Sequence, residues 1–121
     1  MSGKVFYNKL IRDLIPEKIA KAGALCETRV LDETEYEKEL LKKVEEEGSG
    51  VAAATTREEL IEELADVQDV IDEIKKLKNI TEEEVRAAQA VALKKKGGFS
   101  KRLFLLWSSD DGYTTNEKNH G

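Results

Sequence analysis

An acid interrupts the most strongly patterned helix in this chain, and that interruption constrains how the chain can fold. From Glu58 to Leu77, the residues Leu60, Ile61, Leu64, Val67, Val70, Ile71, Ile74 and Leu77 recur at helical spacing. At about 100° per residue, most of them fill one apolar arc. Glu63 falls inside that arc, among Leu60, Val67, Val70 and Ile74, and Asp66 sits at its edge one turn later. An ionised carboxylate turned toward a core is costly unless it is paired, protonated or bound to a metal. Two acids three positions apart share a helix face, which suits a shared cation.

Size and charge narrow the classes open to such a helix. A chain of 121 residues suits one domain with a modest core. The net charge of −5 argues against a general nucleic-acid binder. A small phosphorylated substrate stays compatible with it, because metal ions offset the charge. Cys26 is the only cysteine, so an intrachain disulfide and a cysteine-based zinc site are excluded. The only histidine, His120, lies in a polar tail, which makes a thiol enzyme a poor reading; Cys26 is expected as a small buried or half-buried side chain. No apolar run reaches membrane-spanning length and the N-terminus lacks a signal-peptide pattern, so a cytoplasmic protein without membrane contact is expected.

The expected fold class is all-α: a small bundle of three long helices plus a short N-terminal helix, to which a minor two-stranded β-sheet could be added. Residues 5–14 read as an ordered loop. A short helix then opens near Pro16 and closes at Gly23. Three capping boxes mark the longer helices: Asp32 with Glu35, Thr56 with Glu59, and Thr81 with Glu84. The first long helix spans about 33–47, with Tyr36, Leu40, Leu41 and Val44 inward. The second spans about 57–78 and stops at Asn79 in a left-handed conformation. The third spans about 82–96, with the small inner row Val85, Ala88 and Ala92. Between the first two lies an odd linker, Gly48 to Thr56, readable as a broken helix end or a flexible loop. The segments 25–31 and 101–107 alternate or run apolar as short strands do, and could pair with each other. One domain is expected over residues 1–107, followed by a disordered polar tail over 108–121.

Glu47 lies at the edge of the apolar arc of its helix, while Glu46 points further out. If the first two long helices pack antiparallel, Glu47 comes near Glu63 and Asp66. Three convergent carboxylates suit Mg²⁺ or Mn²⁺, which bind phosphate oxygens and activate water. The plainer alternative is a solvated acidic face at Glu45–Glu47 with Lys42 and Lys43 as partners, or structural ion pairs to Lys9, Arg12, Lys101 and Arg102. Tyr7 and Phe99 could stack on a base, although core packing suits each better.

At these residues the chain resembles the all-α NTP pyrophosphatase superfamily, which includes MazG and phosphoribosyl-ATP pyrophosphohydrolase. The likeness rests on an opening phrase, YNKLIRDLIPEKI from Tyr7 to Ile19, an RVLD junction from Arg29 to Asp32, and a closing GGF-x-KR-x-FL phrase from Gly97 to Leu105. It covers about residues 5–106. The superfamily's metal motif is E-E-x-x-E followed by E-x-x-D. The second half stands here as Glu63-Leu64-Ala65-Asp66, while the first reads Glu46-Glu47-Gly48-Ser49-Gly50, with Gly50 in place of the last acid. The resemblance implies Mg²⁺ or Mn²⁺ held by Glu47, Glu63 and Asp66, with Glu46 a further ligand or a water-orienting base, so that Glu46 and Glu47 form the catalytic pair. Asp69 or Ser49 could compensate for the missing acid. The resemblance also implies that Lys9, Arg12, Lys101 and Arg102 hold the substrate's phosphates, that the chain forms a homodimer or homotetramer, and that a nucleoside triphosphate is cut between its α and β phosphates. Gly50 keeps a second reading open, a non-catalytic nucleotide-binding or regulatory protein on the same fold. A plain helical oligomerisation module is the third.

Overall fold

The computed structural model describes residues 3–109. Its regular structure is helical throughout: α1 (Ile15–Lys21), α2 (Glu33–Ala53), α3 (Arg57–Lys78) and α4 (Glu82–Lys96). The chain divides into two units, Met1–Glu82 and Glu83–Gly121, so that α1, α2 and α3 belong to the first and nearly all of α4 to the second.

Local chemistry sets the helix ends. Pro16 stands in the first turn of α1, where its missing N–H costs nothing. Asp32 caps α2 by accepting a hydrogen bond from the Glu35 backbone N–H at 2.8 Å. Thr56 caps α3 in the same way, its hydroxyl oxygen accepting from the Glu59 N–H at 3.1 Å. The Glu59 carboxylate reaches back and accepts from the Thr55 backbone N–H at 2.9 Å. Asn79 ends α3 in the left-handed region, at φ 56° and ψ 41°, and the next N–H, that of Ile80, donates to the Lys75 carbonyl at 2.9 Å.

The packed heart of the first unit is a hairpin of α2 on α3. The tight turn between them makes the pair antiparallel, and Lys78 at the end of α3 meets Glu37 near the start of α2 at 3.1 Å. Leu40 of α2 and Val70 of α3 are the buried hydrophobic residues. Along α2 the half-buried row Tyr36, Val44, Glu47 and Val51 continues from Leu40 at helical spacing. Along α3 the matching row runs through Glu63, Val67, Ile74 and Leu77. A carboxylate therefore takes a seam position on each helix, near the end of the hairpin where the two are joined.

The two sides of this hairpin differ. Leu41 lies about 100° round α2 from Leu40, and Leu64 about 120° round α3 from Val70, in the same rotational sense. In an antiparallel pair that puts both on one side, and both are about half exposed, at 51% each. Lys43 and Asp66 turn the opposite way, and the N-terminal segment runs along their side, its Leu10 carbonyl accepting from Lys43 Nζ at 2.9 Å.

Several expectations need correction. Helix α2 does not end at residue 47 but runs on through Gly48, Ser49 and Gly50 to Ala53. Val51 carries the seam row onward, and its packing outweighs the poor helix propensity of the glycines. Leu41 faces outward rather than inward. Cys26 is exposed, neither buried nor half-buried. Among the described residues there is no strand, so the minor β-sheet is absent. Segment 25–31 leaves Leu25 and Val30 almost wholly exposed, and segment 101–107 opens in a turn with Arg102 at φ 56°. Neither segment has an apolar layer to lean on, and a two-stranded sheet needs one. In the second unit Val85 and Ala92 are half-buried while Ala88 is exposed. The expected tail, from residue 110 on and including His120, lies outside the described residues.

The cap at Thr56 predicts a specific loss. Thr56→Ala should lower unfolding stability by about 1 kcal/mol in urea titrations followed by circular dichroism. An unchanged midpoint would show that the reach-back of Glu59 holds the turn alone.

Candidate functional site

The junction end of the hairpin gathers acids from both helices. Glu47 of α2 and Glu63 and Asp66 of α3 each offer an oxygen within 4.8 Å of the others' oxygens, and all three are half-buried. Two oxygens on opposite sides of a hard divalent cation lie about 4–5 Å apart, so the spacing fits one ion. The donor set is all oxygen, which favours Mg²⁺, Mn²⁺ or Ca²⁺ over softer metals.

Cations of the N-terminal segment and of α2 surround these acids. Arg12 Nη2 donates to Asp66 Oδ1 at 2.9 Å and to Asp69 Oδ2 at 2.8 Å. Its hydrogen bond to Asp69 is the main reason its pKa rises above the ordinary arginine value, with desolvation opposing and the charge of Asp66 adding to the rise. Lys9 Nζ donates to Glu46 Oε1 at 3.3 Å, and Lys43 Nζ donates to the same oxygen at 2.9 Å. Lys43 also approaches Glu47 Oε2 at 3.8 Å. Its side chain is only 14% exposed, and its third partner is the Leu10 carbonyl. The ammonium thus ties the N-terminal segment to α2 and sits between two of the acids.

Among the described residues, no donor reaches the Glu63 carboxylate. Across the cluster, the five carboxylates of Glu46, Glu47, Glu63, Asp66 and Asp69 face the three cations Lys9, Arg12 and Lys43, which leaves two negative charges unmatched. Beside it a cleft of about 280 Å³ opens, lined by Lys9, Lys42, Lys43, Glu46 and Ser49 among others.

The expected residues fall into three groups. Glu47, Glu63 and Asp66 meet as a triad. Glu46, Lys9 and Arg12 border it, but Glu46 is turned toward two lysines rather than toward the other acids. Lys101 and Arg102 belong to the second unit, while the interactions described here come from the first. Asp69 is engaged with Arg12, and Ser49 lines the cleft. Sequence reasoning treated Lys43 as a partner on a solvated face and missed its anchoring of the N-terminal segment. The spacing to Glu46 and Glu47, three and four positions on, signals the local pairs only; the Leu10 contact has no sequence signature.

The lysines give the site a pH signature. The hydrogen bond from Lys43 is the largest cause that holds the Glu46 carboxyl below its ordinary value, with desolvation opposing and Lys9 adding to the shift. A lowered native pKa stabilises the fold fully above the unfolded value, and that contribution is lost as pH falls through the native one. Acidification from about pH 5 to pH 3 should therefore destabilise the wild type, and Glu46→Gln should flatten this limb in urea melts repeated across pH. An identical slope in both proteins would contradict the assignment.

Comparison of the chain with known protein families, with curated proteins and with solved structures finds no match.

Proposed function

We propose that this chain is a metal-dependent nucleoside triphosphate pyrophosphohydrolase of the all-α kind its sequence resembles. One observation carries the reading: three carboxylates from two helices converge, and two of them, Glu47 and Glu63, hold seam positions that packing alone would fill with apolar side chains. Arg12 meets Asp66 and Lys43 approaches Glu47, but no donor among the described residues reaches Glu63, and a divalent cation would supply the remaining counter-charge.

Glu47, Glu63 and Asp66 would hold the ion, Mg²⁺ or Mn²⁺. When bound, the ion neutralises phosphate charge and lowers the pKa of water. Lys9, Arg12 and Lys43 supply cationic groups around the acids and the neighbouring cleft, where a polyphosphate chain finds charge-assisted donors. Hydrolysis forms a bond from water oxygen to the α-phosphorus and breaks the bond from that phosphorus to the α–β bridging oxygen. A monophosphate and pyrophosphate result, and the water's protons pass to a base and to solvent. Glu46, next to Glu47 in α2, is a further carboxylate at the border of the triad, and it would serve as that base once it releases the lysines that share its oxygen. The physiological role in keeping is removal of unwanted nucleotides from the pool.

The half-exposed apolar side of the hairpin bears on assembly. Leu41, Leu60 and Leu64 are exposed on a unit whose buried hydrophobic residues are Leu40 and Val70. Two hairpins set against each other by these faces would complete a four-helix core, so a homodimer is the proposed working form, with a homotetramer built from it as the larger alternative. No helix among the described residues is long and apolar enough to cross a membrane.

A second reading has its own observation. Gly50 leaves α2 without a further acid, and Arg12 rests on Asp66. A protein that binds metal and nucleotide without turnover would look the same. Pyrophosphate release separates the two: with Mn²⁺ or Mg²⁺ the wild type should release it from at least one NTP in a broad panel, and Glu63→Gln should reduce the rate by a factor of about 100 or more. Nucleotide-dependent thermal stabilisation without release would favour the binding protein instead. Assembly is checked separately. The wild type should sediment as a dimer or larger, and Leu41→Glu combined with Leu64→Glu should sediment as a monomer.

A further inference from the structure

Gly48 and Gly50 both sit inside α2, and each weakens a helix relative to alanine. They differ in what surrounds them. A Cβ built on Gly48 would meet nothing within 4 Å. A Cβ built on Gly50 would lie 2.8 Å from Glu63 Cδ and 3.4 Å from Glu63 Oε2, and it would also collide with Glu63 Oε1. The end of the Glu63 side chain occupies the volume that any side chain at position 50 would need. That places an acid of α3 directly against the backbone of α2, on the helix that carries Glu47.

We propose that Gly50 is a positioning residue: its missing side chain seats the Glu63 carboxylate beside Glu47 and Asp66, so that the centre takes a single divalent cation through three carboxylates. This rests on the reading of the triad as a cation site given under Proposed function. Three arguments converge on it. The steric one is the occupied volume, which leaves no room for a further ligand from position 50 while Glu63 stays where it is. The electrostatic one is that carboxylates outnumber the cations that contact them in this cluster, an excess that a bound cation offsets. The third is the lack of any donor to Glu63 among the described residues, which leaves its oxygens available. A side chain at position 50 would therefore displace the Glu63 carboxylate, the movable end of a flexible side chain, from its place beside Glu47 and Asp66.

The two glycines provide their own control. Mn²⁺ is titrated into the full chain without nucleotide, with free Mn²⁺ read by electron paramagnetic resonance and heats by calorimetry. The wild type should bind one Mn²⁺ per chain. Gly48→Ala should leave the affinity within about twofold and raise the melting temperature, as an alanine inside a helix does. Gly50→Ala should weaken Mn²⁺ about tenfold or more, the usual effect of disturbing a group that orients a ligand. The loss should depend on the length of the acid. In a Glu63→Asp background the shorter side chain no longer reaches position 50, so adding Gly50→Ala should change little. If Gly50→Ala loses its helical signal, the double variant should regain it.

Equal Mn²⁺ affinity in Gly50→Ala and wild type would overturn the proposal and leave the triad as a cation site. So would equal losses on adding Gly50→Ala to the wild type and to Glu63→Asp, or failure of both variants to fold. Binding of a second Mn²⁺ by Gly50→Glu would overturn it too, by showing a vacated ligand position. No Mn²⁺ binding by the wild type would reject the triad reading itself, and this inference with it.

Discussion

The antiparallel pairing of α2 and α3 is the interaction on which the rest of this structure depends. It buries Leu40 and Val70, and it holds side chains distant in sequence firmly opposite one another. A seam of this kind is normally apolar along its length. Here it is apolar at one end and carries Glu47 and Glu63 at the other. Burial stabilises the first end, and the second needs a counter-charge. The short turn between the helices keeps the acidic end from splaying, because Thr56 and Glu59 close the backbone there.

The N-terminal segment has no regular structure over residues 3–14, yet it is fixed to the hairpin by three contacts of one electrostatic kind. Lys43 holds the Leu10 carbonyl, Lys9 meets Glu46, and Arg12 spans Asp66 and Asp69. All three lie on the acidic side of the hairpin, so the excess negative charge of the helices draws in the basic stretch of the opening phrase. Exposed pairs of this sort contribute little each, and their combined effect is to choose a side for the segment more than to add stability. The opposite side keeps its leucines uncovered.

Much of the helical frame was legible from the sequence because it is encoded locally. The caps at Asp32 and Thr56 and the stop at Asn79 need only neighbouring residues, and the structure places them where the spacing does. The interruption at Glu63 was legible for the same reason, since period and polarity conflict within one turn. The extension of α2 through Gly50 was not. Local propensity argues against a helix there, and only the partner across the seam makes Val51 worth burying. The two supposed strands failed from the opposite cause: a local pattern was present without a surface for it to pack on. The convergence of Glu47 with Glu63 and Asp66 followed from assuming an antiparallel hairpin, whereas the stacking of Glu63 onto Gly50 could not follow, because a glycine carries no pattern of its own.

The guanidinium of Arg12 spans Asp66 and Asp69 through Nη2 alone, and its other nitrogens are left over. A carboxylate held by arginine is a poorer ligand, so a dication taken up at Asp66 would compete with this contact. Because Arg12 stands in the irregular opening segment, any such competition would be felt there, in the part of the first unit that helix packing holds least.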